Sequence, residues 1–225
     1  MDPAIFYFAT IKCIACNSEF KSPKIKHGKA KVTRRDEDLC PWYEGVNPLF
    51  YDFTLCPNCG TVFMDKIKAQ SVAEKTRLIQ TFKSIQNAGH LADSERNLED
   101  ARRLAKLTLL AINNTTSGPA ALASVAMRIS WFARYVGDAA EEEKFMKVAL
   151  DNYEKTFVDG DGEFPMDNLL YIMGELTWRL GNYDGAKQWF GKLFGFENPK
   201  SPMVKKGKER WYDIREARRR EGQEE

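Results

Sequence analysis

The sequence predicts an α+β chain that is mostly α, with a small β-rich, cysteine-bearing module followed by an array of α-helical hairpins. Three observations carry this. Two Cys-x-x-Cys pairs, Cys13/Cys16 and Cys56/Cys59, lie in an N-terminal stretch punctuated by Pro, Gly and Asn. Apolar residues there alternate with period two, as Leu49, Tyr51, Phe53 and Leu55 do. Beyond residue 66 the apolar spacing becomes that of helices, with repeated start and stop signals. The expected division is 1–66 for a metal-binding module and 67–225 for a helical part closed by a C-terminal capping helix.

Each Cys pair is placed in a tight turn between strands. Ile5 to Ile11 leads into the first and Phe20 follows it; Leu49 to Leu55 leads into the second and Thr61 to Met64 leads out. Gly60, just after Cys59, suits a knuckle that needs a positive φ. Two such hairpins offer four thiolates, from Cys13, Cys16, Cys56 and Cys59, to one ion, the design of a zinc ribbon with structural zinc. Thiolate tetrahedra also accept iron, as in a rubredoxin-like electron carrier. The 39 residues between Cys16 and Cys56 make a longer excursion than a compact iron centre needs. A catalytic CxxC redox pair normally opens a helix, and these pairs sit in β turns.

In the second part, Ser71-x-x-Glu74 is a capping box for a helix carrying Leu78, Phe82 and Ile85 and ending at Gly89. A second helix is expected over about Ser94 to Ile112, broken by Asn113 to Pro119. A third runs to Gly137, and Asp138-x-x-Glu141 caps a fourth with Phe145, Ala149 and Tyr153. The turn-rich loop Val158 to Pro165 precedes a fifth that ends at Gly181, and a sixth spans about Asp184 to Phe194. With a last helix after Pro199 and Pro202, the pattern is three hairpins and a terminal helix.

Composition excludes more than it identifies. The 225 residues hold 34 basic and 32 acidic side chains, a net charge of +2 that demands neither nucleic acid nor membrane as partner. No apolar run reaches the length of about 18 residues that a membrane span requires. The N-terminus lacks the basic start and apolar stretch of a signal peptide and reads as a strand. Metal-ligand spacing in four of five cysteines suits a reducing cytoplasm.

Two resemblances bear on these residues. Leu170, Met173, Gly174, Leu180, Gly181, Asn182, Tyr183, Ala186, Phe190 and Pro199 together resemble one tetratricopeptide repeat, in which a small residue on each helix allows close packing. Ala123 to Tyr153 fits that register more loosely, with Glu142 where Ala is expected. Over nearly its whole length the chain is also similar to an uncharacterised bacterial domain-of-unknown-function family. The resemblance rests on Cys13-x-x-Cys16, Arg35-Asp36-Glu37-Asp38-Leu39-Cys40, Asn47-Pro48-Leu49-Phe50-Tyr51, Cys56-Pro57-Asn58-Cys59-Gly60 and Arg128-Ile129-Ser130-Trp131-Phe132-Ala133-Arg134. It implies an architecture and no established activity.

The remaining candidates read more simply. Cys40, flanked by Arg34, Arg35 and Asp36 to Asp38, is either an activated thiol or a small buried side chain, and His27 and His90 stand in no recognisable relation to it. The basic run Lys21, Lys24, Lys26, Lys29, Lys31, Arg34 and Arg35 suits either nucleic-acid phosphates or solvent, and holds no stacking aromatic of its own. The last helix combines Val204, Trp211 and Ile214 with many cations, the composition of a capping helix. Asp159 to Glu163 fails as a calcium loop, because Phe164 and Leu170 stand where Gly and Glu are required. No nucleotide loop, nucleophile elbow or zinc-protease motif occurs. The expected function is therefore a non-enzymatic adaptor that binds a protein or peptide in a helical groove lined by Trp131, Arg134, Tyr171 and Trp178. A nucleic-acid-binding ribbon and an iron electron carrier are the alternatives.

Overall fold

The computed structural model describes residues 1–83, 85, 89–160, 164–196 and 198–222. Among these, six short strands precede seven α-helices, an α+β chain that is mostly α. Strands β1 (Phe6–Lys12) and β2 (Glu19–Ile25) form one antiparallel hairpin, in register from Phe6 opposite Ile25 to Lys12 opposite Glu19. Strands β3 (Lys31–Arg35) and β4 (Pro41–Glu44) form a second, with a bulge between Val32 and Arg34. Strands β5 (Thr54–Leu55) and β6 (Val62–Phe63) form the third. Each sheet has two strands only, so the hairpins need outside support to persist.

The strand expected over Leu49 to Leu55 is shorter than its periodicity suggests. Pro48–Tyr51 is a single 3-10 turn, and only Thr54 and Leu55 are extended. Asn47 accepts the Leu49 amide at 3.0 Å, and Pro48 occupies the first position, where its fixed φ starts a helical turn. Leu49, Tyr51, Phe53 and Leu55 are buried all the same, so the apolar pattern reports burial and the Asn-Pro pair decides conformation.

Helix α1 (Val72–Lys83) begins at the expected capping box. The buried Glu74 carboxylate accepts the amides of Ser71, Gln70 and Thr116. The Ser71 amide is the largest of the influences that hold its carboxyl down to about 2. A depressed acid favours folding above the ordinary Glu range of about 4.3 and loses that contribution as pH falls through its folded value. The stability gap between wild type and Glu74→Gln should therefore be full near neutrality and close toward pH 2, as urea titrations across that window would show.

Helix α2 (Leu98–Asn113) starts later than expected, at an Asn97/Asp100 capping box. Residues Gly89–Ala92 form another 3-10 turn before it. Arg96 is the reason for the late start. It is buried and donates to the carbonyls of Leu91, Phe50 and Phe53, while its own amide donates to the Tyr51 hydroxyl. This directs α2 onto β6 and the Pro48–Tyr51 turn instead of into a hairpin with α1. The expected helix end at Gly89 and the loop Asp161 to Glu163 involve residues outside those described.

Two true helical hairpins follow. Helix α3 (Pro119–Val136) packs along α4 (Ala139–Asp159), and α5 (Met166–Arg179) along α6 (Tyr183–Phe194). Gly137 turns the first at φ 75° and Gly181 the second at φ 81°. Helix α7 (Pro202–Arg220) closes the array: Val204 and Ile214 are buried, and Trp211 stacks on Tyr183 with centroids 5.1 Å apart. The buried side chains of the N-terminal hairpins and of the helices belong to one continuous core. Among the described residues no helix is long and apolar enough to cross a membrane.

Close approach of α5 and α6 depends on Gly174. A Cβ there would lie 3.0–3.1 Å from carbons of the buried Phe190 ring. Gly174→Ala should cost about 1 kcal/mol net, because overpacking of about 1–3 kcal/mol exceeds the helix-propensity gain of about 1 kcal/mol. A urea midpoint equal to or above wild type would show that the ring yields freely.

Candidate metal centre

The two knuckles are built alike. In the first, the Cys13 amide donates to the Ser18 carbonyl (2.9 Å) and the Asn17 amide to the Cys13 carbonyl (3.2 Å). In the second, Cys56 donates to Thr61 and Gly60 to Cys56, both at 2.9 Å. Gly60 has the positive φ that its position suggested, 75°, and Asn17 at φ 60° does the same work in the first knuckle. Two residues after the second cysteine of each pair stands a hydroxyl: Ser18 Oγ lies 3.0 Å from Cys16 Sγ, and Thr61 Oγ1 lies 3.2 Å from Cys59 Sγ. These hydroxyls were not singled out in the sequence, although the repeated Asn/Gly-Ser/Thr after each CxxC is the signal that marks them.

This symmetry brings all four sulfurs within 4.8 Å of one another. Cys13 and Cys59 Sγ are 3.6 Å apart, and Cys16 and Cys56 Sγ 3.7 Å. A tetrahedron with metal–sulfur bonds of about 2.3 Å has edges of about 3.8 Å, so the four thiols fit one ion of that kind. Cys13 and Cys56 are buried, while Cys16 and Cys59 are partly exposed. Burial pushes the Cys16 thiol up, but the Ser18 hydroxyl and amide and the Asn58 side chain bring it below its usual value, which favours the thiolate a metal takes. Among the described residues the ligating group consists of these four cysteines, without a His or carboxylate. Such a set can hold a metal ion, and its sulfur chemistry suits zinc or iron.

Comparison with protein families then gives one match. Residues 6–214 match the family described as "Uncharacterized protein conserved in bacteria (DUF2225)". The chain belongs to this family. No curated protein and no solved structure matches. For this DUF2225 member the comparison supports the resemblance of the sequence to a bacterial family of unknown function, and it adds no activity.

The other residues quoted for that resemblance meet at a second place. The turn Asp36–Cys40, which joins β3 to β4, inserts among α3, α5 and α7. Asp38 is wholly buried and accepts both Nη atoms of Arg134, at 2.9 and 2.6 Å, and Trp131 Nε1 at 3.1 Å. Arg179 lies 3.8 Å from it. Burial alone would raise the Asp38 carboxyl, but the Arg134 hydrogen bonds and the charges of Arg179 and Arg134 hold it below the usual carboxylate range. Arg134 also donates to Asp36 and Glu142, each at 2.8 Å. Glu142, out of place as a repeat residue, thus has an electrostatic reason to be there. Tyr171 donates to the Glu37 carbonyl at 2.8 Å, and Lys206 pairs with the Glu37 carboxylate at 2.6 Å. Asp52, beside β5, pairs with Arg128 at 2.7 Å.

Three of the four residues expected to line an open groove therefore hold the chain's own turn. Trp131, Arg134 and Tyr171 surround it; Trp178 packs instead edge-on against Tyr183. Cys40 is buried in the same turn and donates to the Tyr135 hydroxyl at 3.7 Å. Burial and the neighbouring Asp38 charge push its thiol up to about 12, the direction of a packed, un-ionised side chain. Part of the basic run is paired within the chain, mostly at the surface. Lys24 donates to the Tyr51 carbonyl, Lys26 to that of Pro3, and Lys31 pairs with Glu44. Arg34 lies over the Trp42 ring at 4.2 Å.

Proposed function

We propose that this protein is a non-enzymatic adaptor whose N-terminal zinc ribbon is a structural staple and whose tetratricopeptide-like helices bind a protein partner in the cytoplasm. The observation that carries this reading is the paired knuckle itself. Four thiolates supply all the ligands a tetrahedral ion needs, which leaves no position for a substrate or an activated water. Zinc is the ion that such a closed set holds without redox chemistry, and it ties together hairpins too short to stand alone. The helical reading rests on Gly174, where a Cβ would press on the Phe190 ring of α6, and on the small, buried Ala186 of that helix, at the positions where such repeats pack closest. Successive hairpins of this kind expose alternate helices on one face, the surface that solenoids use for partners.

Elemental analysis beside a visible spectrum tests it. The expected result is one zinc per chain in a colourless protein. Iron with visible charge-transfer bands would replace the adaptor with an electron carrier.

A further inference from the structure

We propose that the face shared by α3, α5 and α7 is a receptor for an acidic segment of a partner protein, an Asp-Glu-Asp stretch followed by a large apolar residue, and that the turn Asp36–Cys40 fills it in cis. The inference rests on the adaptor reading and supplies the chemistry of its partner.

The turn itself shows the mode of recognition. Arg134 on α3, Arg179 on α5 and Lys206 on α7 reach its carboxylates, while Arg210 on α7 is held by Glu175, which also takes Arg179; among the described residues the helix carboxylates paired with these cations are Glu142 and Glu175. The incoming segment brings three carboxylates, and the bidentate Arg134 fork with the Trp131 indole N–H fixes the position of the middle of the site. A partner segment with the same spacing would make the same pairs, so no buried charge ends without a partner in the exchange.

Two features suit exchange. Leu39 has φ 69°, a left-handed conformation that a branched side chain adopts only under constraint. Beside it a cavity of about 170 Å³ is bounded by Leu39, Trp131, Tyr153, Phe164, Leu169 and Ile172. A larger apolar side chain at the Leu39 position of an untethered segment would fill that space. What the cis turn has in its favour is effective concentration, in the millimolar range for a short tether.

The probe is the synthetic capped peptide Arg-Asp-Glu-Asp-Phe-Ala, with a Leu-for-Phe version and a neutral Asn-Gln-Asn version. Each is titrated calorimetrically into the full zinc-loaded chain and into the full chain carrying Asp36→Asn, Glu37→Gln and Asp38→Asn. The acidic Phe peptide is expected to bind the triple variant about ten-fold or more tighter than wild type. The Leu peptide should bind more weakly and the neutral one not at all, and adding Arg134→Ala should abolish binding. Should the triple variant not fold, amide exchange of residues 35–41 in the wild-type chain, measured with millimolar peptide, decides the question: faster exchange supports the proposal. No binding to a folded variant, binding indifferent to Arg134, or unchanged exchange at millimolar peptide overturns it. Each of those results with zinc in the ribbon leaves the adaptor reading and removes this surface from it; iron in the ribbon removes the adaptor reading whatever the peptide does.

Discussion

Replacing Asp38 with Ala is expected to cost about 3–5 kcal/mol, because it breaks a buried, hydrogen-bonded ion pair. The position is in a turn between two short strands, where sequence alone would assign little weight. The structure buries the side chain completely beneath Arg134, Trp131 and Arg179. Truncation leaves the Arg134 guanidinium, itself only 12% exposed, with part of its fork unpaired and an indole N–H without its acceptor. Typical domains are stable by about 5–15 kcal/mol, so the variant would stand near its limit. Lys31→Ala removes an ion pair that is 75% and 64% exposed and should change stability by about 0–1 kcal/mol. Urea unfolding at neutral pH compares the two; equal midpoints would show that the turn is not an anchor. The pH dependence has a fixed sign. The folded Asp38 carboxyl lies below its unfolded value of about 3.9, so its stabilisation is present above that value and is lost as pH falls through the folded one.

Loss of the metal should have the second large effect, and it should be local. Hairpin β5–β6 pairs only two residues on each strand, and β1–β2 stands as a two-stranded ribbon. Such elements are marginal alone, and structural zinc in small ribbons is worth about 10–16 kcal/mol of apparent binding energy. Cys56→Ser, or chelation of the wild type, is expected to raise amide exchange sharply across residues 6–25 and 54–63 while α3 to α6 keep their protection. Helices α3 to α6 pack on one another, with Tyr171 edge-on to the buried Phe190, and neither residue belongs to the four-cysteine site. Cys40→Ser should leave the metal content unchanged. Protection that survives metal loss throughout the ribbon would mean that the ion is not a staple.

What could be read from the chain depended on how local its cause is. The knuckles were legible because Cys spacing, Gly60 and the following residues act within one turn. Helix caps at Ser71/Glu74 and Asp138 were legible for the same reason. Leu49 to Leu55 misled because period two registers burial, which a 3-10 turn at Asn47-Pro48 also satisfies. The Asp38–Arg134 contact joins residues 96 apart, and nothing in either neighbourhood names the other. Trp131, Arg134 and Tyr171 were found as the lining of a groove, but the sequence could not show that the groove is filled from within. Arg96 was missed altogether, because its partners are backbone carbonyls, which carry no sequence signature.

Loading the four-cysteine site with cobalt(II) tests most directly whether a metal held there is a closed staple. Four thiolates around cobalt give the intense visible bands of a tetrahedral sulfur site, and a closed site keeps them when imidazole or cyanide is added. An unchanged spectrum at one cobalt per chain is the predicted result. A spectrum that shifts with the added ligand would reveal an open coordination position, and the metal would then have chemistry of its own.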